Sequence, residues 1–169
     1  MTPPDQRIFS PESEHVTTVH RTAYAVVHRV DLPAGAGLPE HEGGARVIYS
    51  LRPYTMRFEA EGQSSERHFE AGDVHFHAEG THAVQNTGDQ PAAFLAFVCT
   101  DGSLPTVPPD EDLGAAAASL PDGASHEVVL ENNRVLVRRL APDPGASIPP
   151  HDAPPPPIVY APPDHPPPV

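Results

Sequence analysis

From Tyr24 to Thr100 apolar and polar residues alternate in short runs, and the alternation predicts strands over Tyr24 to Val30, Ala45 to Leu51, Thr55 to Ala60, Ser65 to Glu70, Val74 to His77, His82 to Asn86 and Ala92 to Thr100. Between them stand turn signals: Pro33 to Gly37, Gly43-Gly44, Glu61-Gly62, Ala71 to Asp73, and Asn86 to Asp89. Short strands at even spacing, with no sustained helical period, argue for an all-β antiparallel sandwich or barrel. Counting by twos from His41 puts His41, Gly43, Ala45, Val47, Tyr49 and Leu51 on one face, expected to be the inner one. His82, beside Val84, is likewise aimed inward. In the run Val74 to His77 the apolar partners Val74 and Phe76 send His75 and His77 to the opposite, outer face, although either could still serve as a third ligand to a site built on His41 and His82.

The pattern breaks after residue 100. Residues 101–125, rich in Pro, Asp, Gly and Ala, read as a linker with a short helix near Glu111 to Leu120. Beyond it the first half begins again. Laying Ala23 to Glu42 over Asn133 to Asp152 without a gap gives six identities in 20 positions, among them Gly35 with Gly145 and His41 with His151. Upstream, His15 and His126 correspond if one residue is skipped. The expected organisation is a complete barrel over 1–100, the linker, and a partial second repeat over 126–169. That second copy ends before it can supply the returns of a closed barrel. It is expected to add strands to its own barrel or to exchange them in a homodimer. Thirteen of the 24 prolines lie after residue 140, so the tail reads as an edge or an arm.

Charge narrows the partners. A formal net charge of -13, from 10 Lys+Arg against 23 Asp+Glu, leaves no basic face for nucleic acid or anionic lipid. The opening residues lack the apolar run of a signal peptide, and no apolar segment reaches membrane-spanning length, so the expected location is cytoplasmic. The lone cysteine, Cys99, lies in an apolar run and is expected to be a buried thiol. Eleven histidines make metal binding worth weighing, but their positions must decide.

The stretch Gly72 to Asn86 resembles the second motif of the cupin family, in which a Gly-Asp turn leads through a Pro-x-Gly turn to a metal-binding His, with Asn four residues on. His82 and Asn86 match. Ala78 stands where the motif prefers Pro, and the step from Gly80 to His82 is one residue short. Gly35 to Leu51 is similar to the first motif, His-x-His followed by Glu, and His41 fits its first His. Gly43 occupies the place of the second His, and Val47 or Ile48 that of the Glu. The phrase Arg46 to Leu51 and the tandem arrangement look most like the short bicupins grouped with β-alanine degradation proteins. The resemblance implies a cupin-type antiparallel jelly-roll barrel with extra strands from the partial repeat.

The resemblance also implies a site where imidazoles and a carboxylate hold Fe, Mn, Ni or Zn with open positions for substrate or dioxygen. Here two of the four family ligands are missing. The leading expectation is therefore a binding protein for a small organic molecule, with His41 and His82 at the polar end of the pocket, a degenerate metal site, and Tyr49 lining it. Two alternatives stand beside it: a metal-dependent oxygenase, isomerase or lyase acting on a small organic acid, and an assembly module whose partial repeat is exchanged in a dimer.

Overall fold

A computed structural model describes residues 13–22, 25–99, 124–132 and 135–145. Two compact units divide the chain, Met1–Ser103 and Leu104–Val169. In the first, the described strands are β1 (Val16–Arg21), β2 (Ala25–Leu32), β3 (Gly37–Gly43), β4 (Arg46–Ser50), β5 (Tyr54–Ala60), β6 (Gln63–Phe69), β7 (Val74–His77), β8 (Gly80–Asn86) and β9 (Ala92–Cys99). They form two sheets, ordered β1-β2-β9-β4-β7 and β3-β8-β5-β6, and every pairing is antiparallel. This is the jelly-roll arrangement: apart from the hairpins β1-β2 and β5-β6, successive strands cross from one sheet to the other. Among the described residues no helix is long and apolar enough to cross a membrane.

The core lies between the sheets. Val30, Leu32, Phe94, Ala96, Val98 and Ile48 contribute from the larger sheet, and Leu38, Tyr54, Met56, Phe69 and Val84 from the smaller. Leu32, Met56 and Val30 are almost wholly buried. Each large side chain so placed contributes about 1.5–3 kcal/mol relative to an exposed position.

The strand expectations meet the structure within a few residues at each end, but β1 and β3 were not among them. β3 carries Leu-Pro-Glu-His-Glu, too polar to read as a strand. It pairs with β8 through a bulge between Leu38 and His41. The bulge shifts the alternation by one, so that Leu38 and His41, three residues apart, both face the interior.

The inner face of β4 is also displaced from the expected one. The chain leaves β3 at Gly43, crosses between the sheets through Gly44 and Ala45, and re-enters at Arg46. Parity does not survive that crossing. Arg46 and Ile48 face the interior with His77 and His75, their register partners on β7. Val47, Tyr49, Val74 and Phe76 take the other face. Apolarity could not tell the faces apart, because Val27, Val47 and Leu95 on that second face are buried too. Cys99, expected to be buried, is half-buried at the end of β9.

Asn86, the last residue of β8, is fully buried and ties the turns together. Its Nδ2 donates to the carbonyls of Leu32, Pro33 and Gln90, and its Oδ1 accepts from the Gly88 N–H. Buried amides persist only when satisfied in this way.

In the second unit, β10 (Ala124–Glu131) and β11 (Leu136–Pro142) form an antiparallel hairpin. It reproduces β1 and β2 residue by residue. Val16 opposes Val30 as His126 opposes Leu140, and the bulge between Thr18 and His20 recurs between Val128 and Leu130. The turns match as well: Thr22 Oγ1 accepts from the Ala25 N–H, and Asn132 Oδ1 from the Val135 N–H. Gly35 and Gly145 share φ values of 79° and 83°. The structural correspondence is thus gapless, and the one-residue skip expected upstream is not needed. The expected helix near Glu111 to Leu120, His151 and the proline-rich tail lie outside the described residues.

Candidate functional site

Between the two sheets lies a cavity of about 380 Å³, counting the part that opens to solvent. Its lining includes the apolar side chains of Leu38, Ile48, Met56, Phe58, Val84 and Phe94. Among them stand His41, Arg46 and His82, which cluster together, and His75, His77 and Tyr54.

His41 on β3 and His82 on β8 are directly opposed in register, and their ring centroids are 4.4 Å apart. The convergence expected of this pair is present. His41 Nδ1 lies 2.7 Å from the Pro39 carbonyl, and His82 Nδ1 lies 3.2 Å from that of Gly80. A carbonyl only accepts, so both rings carry their proton on Nδ1.

Arg46 reaches this pair from the opposite sheet. Its Nη2 is 2.8 Å from His82 Nε2, and its Nη1 donates to the Gly44 carbonyl at 3.0 Å. A guanidinium has no acceptor, so His82 Nε2 must offer its lone pair and the ring must be neutral. Burial, Arg46 and His41 together push the His82 pKa down to about 4. Burial also lowers that of His41, against its bond to Pro39. Arg46 itself is only 4% exposed, and burial lowers its pKa to about 10, which still leaves it charged at neutral pH.

Gly43 makes this approach feasible. A Cβ there would lie 2.5 Å from His82 Cε1 and 2.7 Å from Arg46 Nη1. The position that the resemblance assigns to a second histidine therefore has no room for a side chain beside the guanidinium.

His75 and His77 line the cavity rather than facing outward as expected, because the face of β7 follows that of β4. Phe69 stacks on His75 at 4.4 Å between centroids, and Phe58 on His77 at 5.3 Å. Burial pushes His75 to about 4 and His77 to about 3, with nearby arginines adding to both shifts. Tyr49 is not part of the wall. Tyr54 supplies the phenol instead, held 3.1 Å from Ser50 Oγ, and burial raises its pKa to about 12. His68 is exposed and bonded to Thr55 and Glu70.

These residues do not fit a divalent metal. Among the described residues no group of three His, Cys, Asp or Glu side chains is placed to hold one. The lone pair of His82 that would face the ion is already bonded to a cation. At an effective dielectric of about 20, unit charges about 4 Å apart repel by about 4 kcal/mol, and a second charge on the ion doubles that.

Arg46 and Tyr54 were missed in the sequence. Arg46 did leave a signal: it is the one charged residue in an otherwise apolar or neutral strand, Arg-Val-Ile-Tyr-Ser.

No family model matches the chain, and no curated protein sequence matches it. Solved structures that it resembles include a cupin domain from Bordetella pertussis Tohama I, 18% identical, over 50% of this chain and 91% of that one, with a TM-score of 0.48. An RmlC-like cupin family protein from Methanocaldococcus jannaschii is 16% identical over 54% and 86% of the two chains, with a TM-score of 0.44. A predicted oxalate decarboxylase from Thermotoga maritima is 22% identical over 50% and 78%, with a TM-score of 0.41. Strand order and the two facing antiparallel sheets make the first unit a jelly-roll barrel.

Proposed function

We propose that the barrel binds a small organic molecule in the cavity between its sheets, with the neutral imidazoles of His41 and His82 at one end and Tyr54, not Tyr49, supplying a phenol elsewhere on the wall. The observation that carries this reading is the cavity's lining, six apolar side chains together with the clustered His41, His82 and Arg46. The enclosed space is small, so the ligand is small. A metal-dependent reaction on a small acid draws no support from the donor set, since His82 is engaged by Arg46.

The test is a thermal-melting screen against a panel of small acids, amides and alcohols. A compound that raises the melting temperature of the wild type but not of Val84→Phe, which fills the cavity, supports the proposal. If no compound acts, or the filled variant responds equally, the proposal fails.

Assembly is a second reading, favoured by one observation. β2 pairs with both β1 and β9, whereas among the described residues its counterpart β11 pairs only with β10. An edge of this kind can accept a strand from a second copy. Solution mass tests it: a dimer that dissociates when Arg139→Pro blocks the β11 edge supports exchange, and a monomeric wild type excludes it.

A further inference from the structure

A guanidinium inside a protein ordinarily has an acidic partner, because an unpaired buried charge is costly. Arg46 has none among the described residues. Its hydrogen bonds go to a carbonyl and to a neutral imidazole, and neither cancels its charge. Two of its donors are used in this way, so three of the five remain for something else.

The surroundings do not supply the missing charge. The other polar groups on the wall are His41, His75, His77, His82 and Tyr54, all neutral at pH 7. The cavity therefore holds one fixed positive charge among neutral polar and apolar side chains. That is the complement of an anion with an apolar body.

We infer that Arg46 makes this cavity a receptor for a small monocarboxylate, whose carboxylate meets the guanidinium beside His82 and whose hydrocarbon part lies against Ile48, Met56 and Val84. A planar fork of N–H donors suits a carboxylate, and the pairing is charge-assisted. Inorganic phosphate would meet the same donors, but it has nothing to place against the apolar wall. His82 acts here as a positioning residue, because its lone pair fixes the direction of the guanidinium. Gly43 completes the arrangement by leaving the space that Arg46 occupies.

The inference rests on the reading of the cavity as a small-molecule site, and a matched pair of probes separates the two. Calorimetric titration of the full chain with isobutyrate and with isobutyramide, in buffer containing EDTA, compares one shape with and without charge. Isobutyrate is expected to bind about tenfold or more tightly than the amide, and Arg46→Met is expected to remove that preference. Equal binding of acid and amide would overturn the anion inference and leave the small-molecule site standing. Binding of neither would overturn both. Tighter binding of inorganic phosphate than of isobutyrate, or isobutyrate binding that is seen only when EDTA is left out, would also contradict it. Because the acid and amide comparison uses the wild type, it stands even if Arg46→Met fails to fold.

Discussion

Arg46 Nη2 on β4 donates to His82 Nε2 on β8 across 2.8 Å, linking the two sheets at the end of the cavity where His41 and His82 lie. This bond fixes the tautomer of His82, keeps its ring neutral, and sets a positive charge where a metal-binding site would need an open lone pair.

The first prediction concerns that ring. In the wild type, nitrogen-resolved NMR should find His82 as the Nδ1–H tautomer down to a pH well below the ordinary histidine range, since its pKa is pushed to about 4. In Arg46→Met the nearby charge is gone and the His82 pKa should rise. An unchanged pKa would mean that the guanidinium does not act on the ring.

Stability should depend on pH through the buried imidazoles. His75, His77 and His82 have pKa values in the fold below that of an unfolded histidine, near 6.5, so between these values the unfolded chain binds more protons. Their contribution is present above about pH 6.5 and is lost as pH falls toward 4 and 3. The urea midpoint should therefore drop between pH 7.5 and 4.5, and His77→Phe should lessen the drop. A midpoint that stays level across this range would contradict the burial of neutral rings.

Gly43→Ala should cost about 1–2 kcal/mol, read from thermal or urea unfolding, because the new methyl meets His82 and Arg46. Part of the clash can be relieved by moving the guanidinium. The same variant should therefore lose the bond to His82 and lift that residue's pKa.

Asn86→Ala should cost about 2–3 kcal/mol through the carbonyls and the N–H left without their partner. The His41 and His82 resonances should hardly move. A large change there would give Asn86 a role in the site as well as in the turns.

Much of the fold was legible because the first unit's strands are short, alternating and separated by glycine turns. The internal repeat was legible too, since the same hairpin geometry demands a glycine at 35 and at 145; the matching turns closed by Thr22 and Asn132 lay outside the aligned stretch because Thr and Asn do the same work with different residues. His41 and His82 could be found because motif spacing places them on adjacent strands. What failed was the assignment of faces. Tyr49 looked inward, and His75 and His77 looked outward, because alternation tells which residues share a face and not which face is inner. In the larger sheet both faces bury apolar side chains, Val47 and Leu95 on one and Ile48 and Phe94 on the other. The bulge in β3 and the crossing at Gly44 and Ala45 then shifted parity where the site begins.

The most direct test follows the Arg46 guanidinium itself by nitrogen-resolved NMR during addition of sodium isobutyrate at constant ionic strength. The account predicts a saturable shift of the Arg46 Nε resonance, with the His82 Nε2 signal moving in step, and no such change on adding Zn²⁺. An Arg46 signal indifferent to isobutyrate, or one displaced by Zn²⁺ together with the His41 and His82 signals, would contradict it.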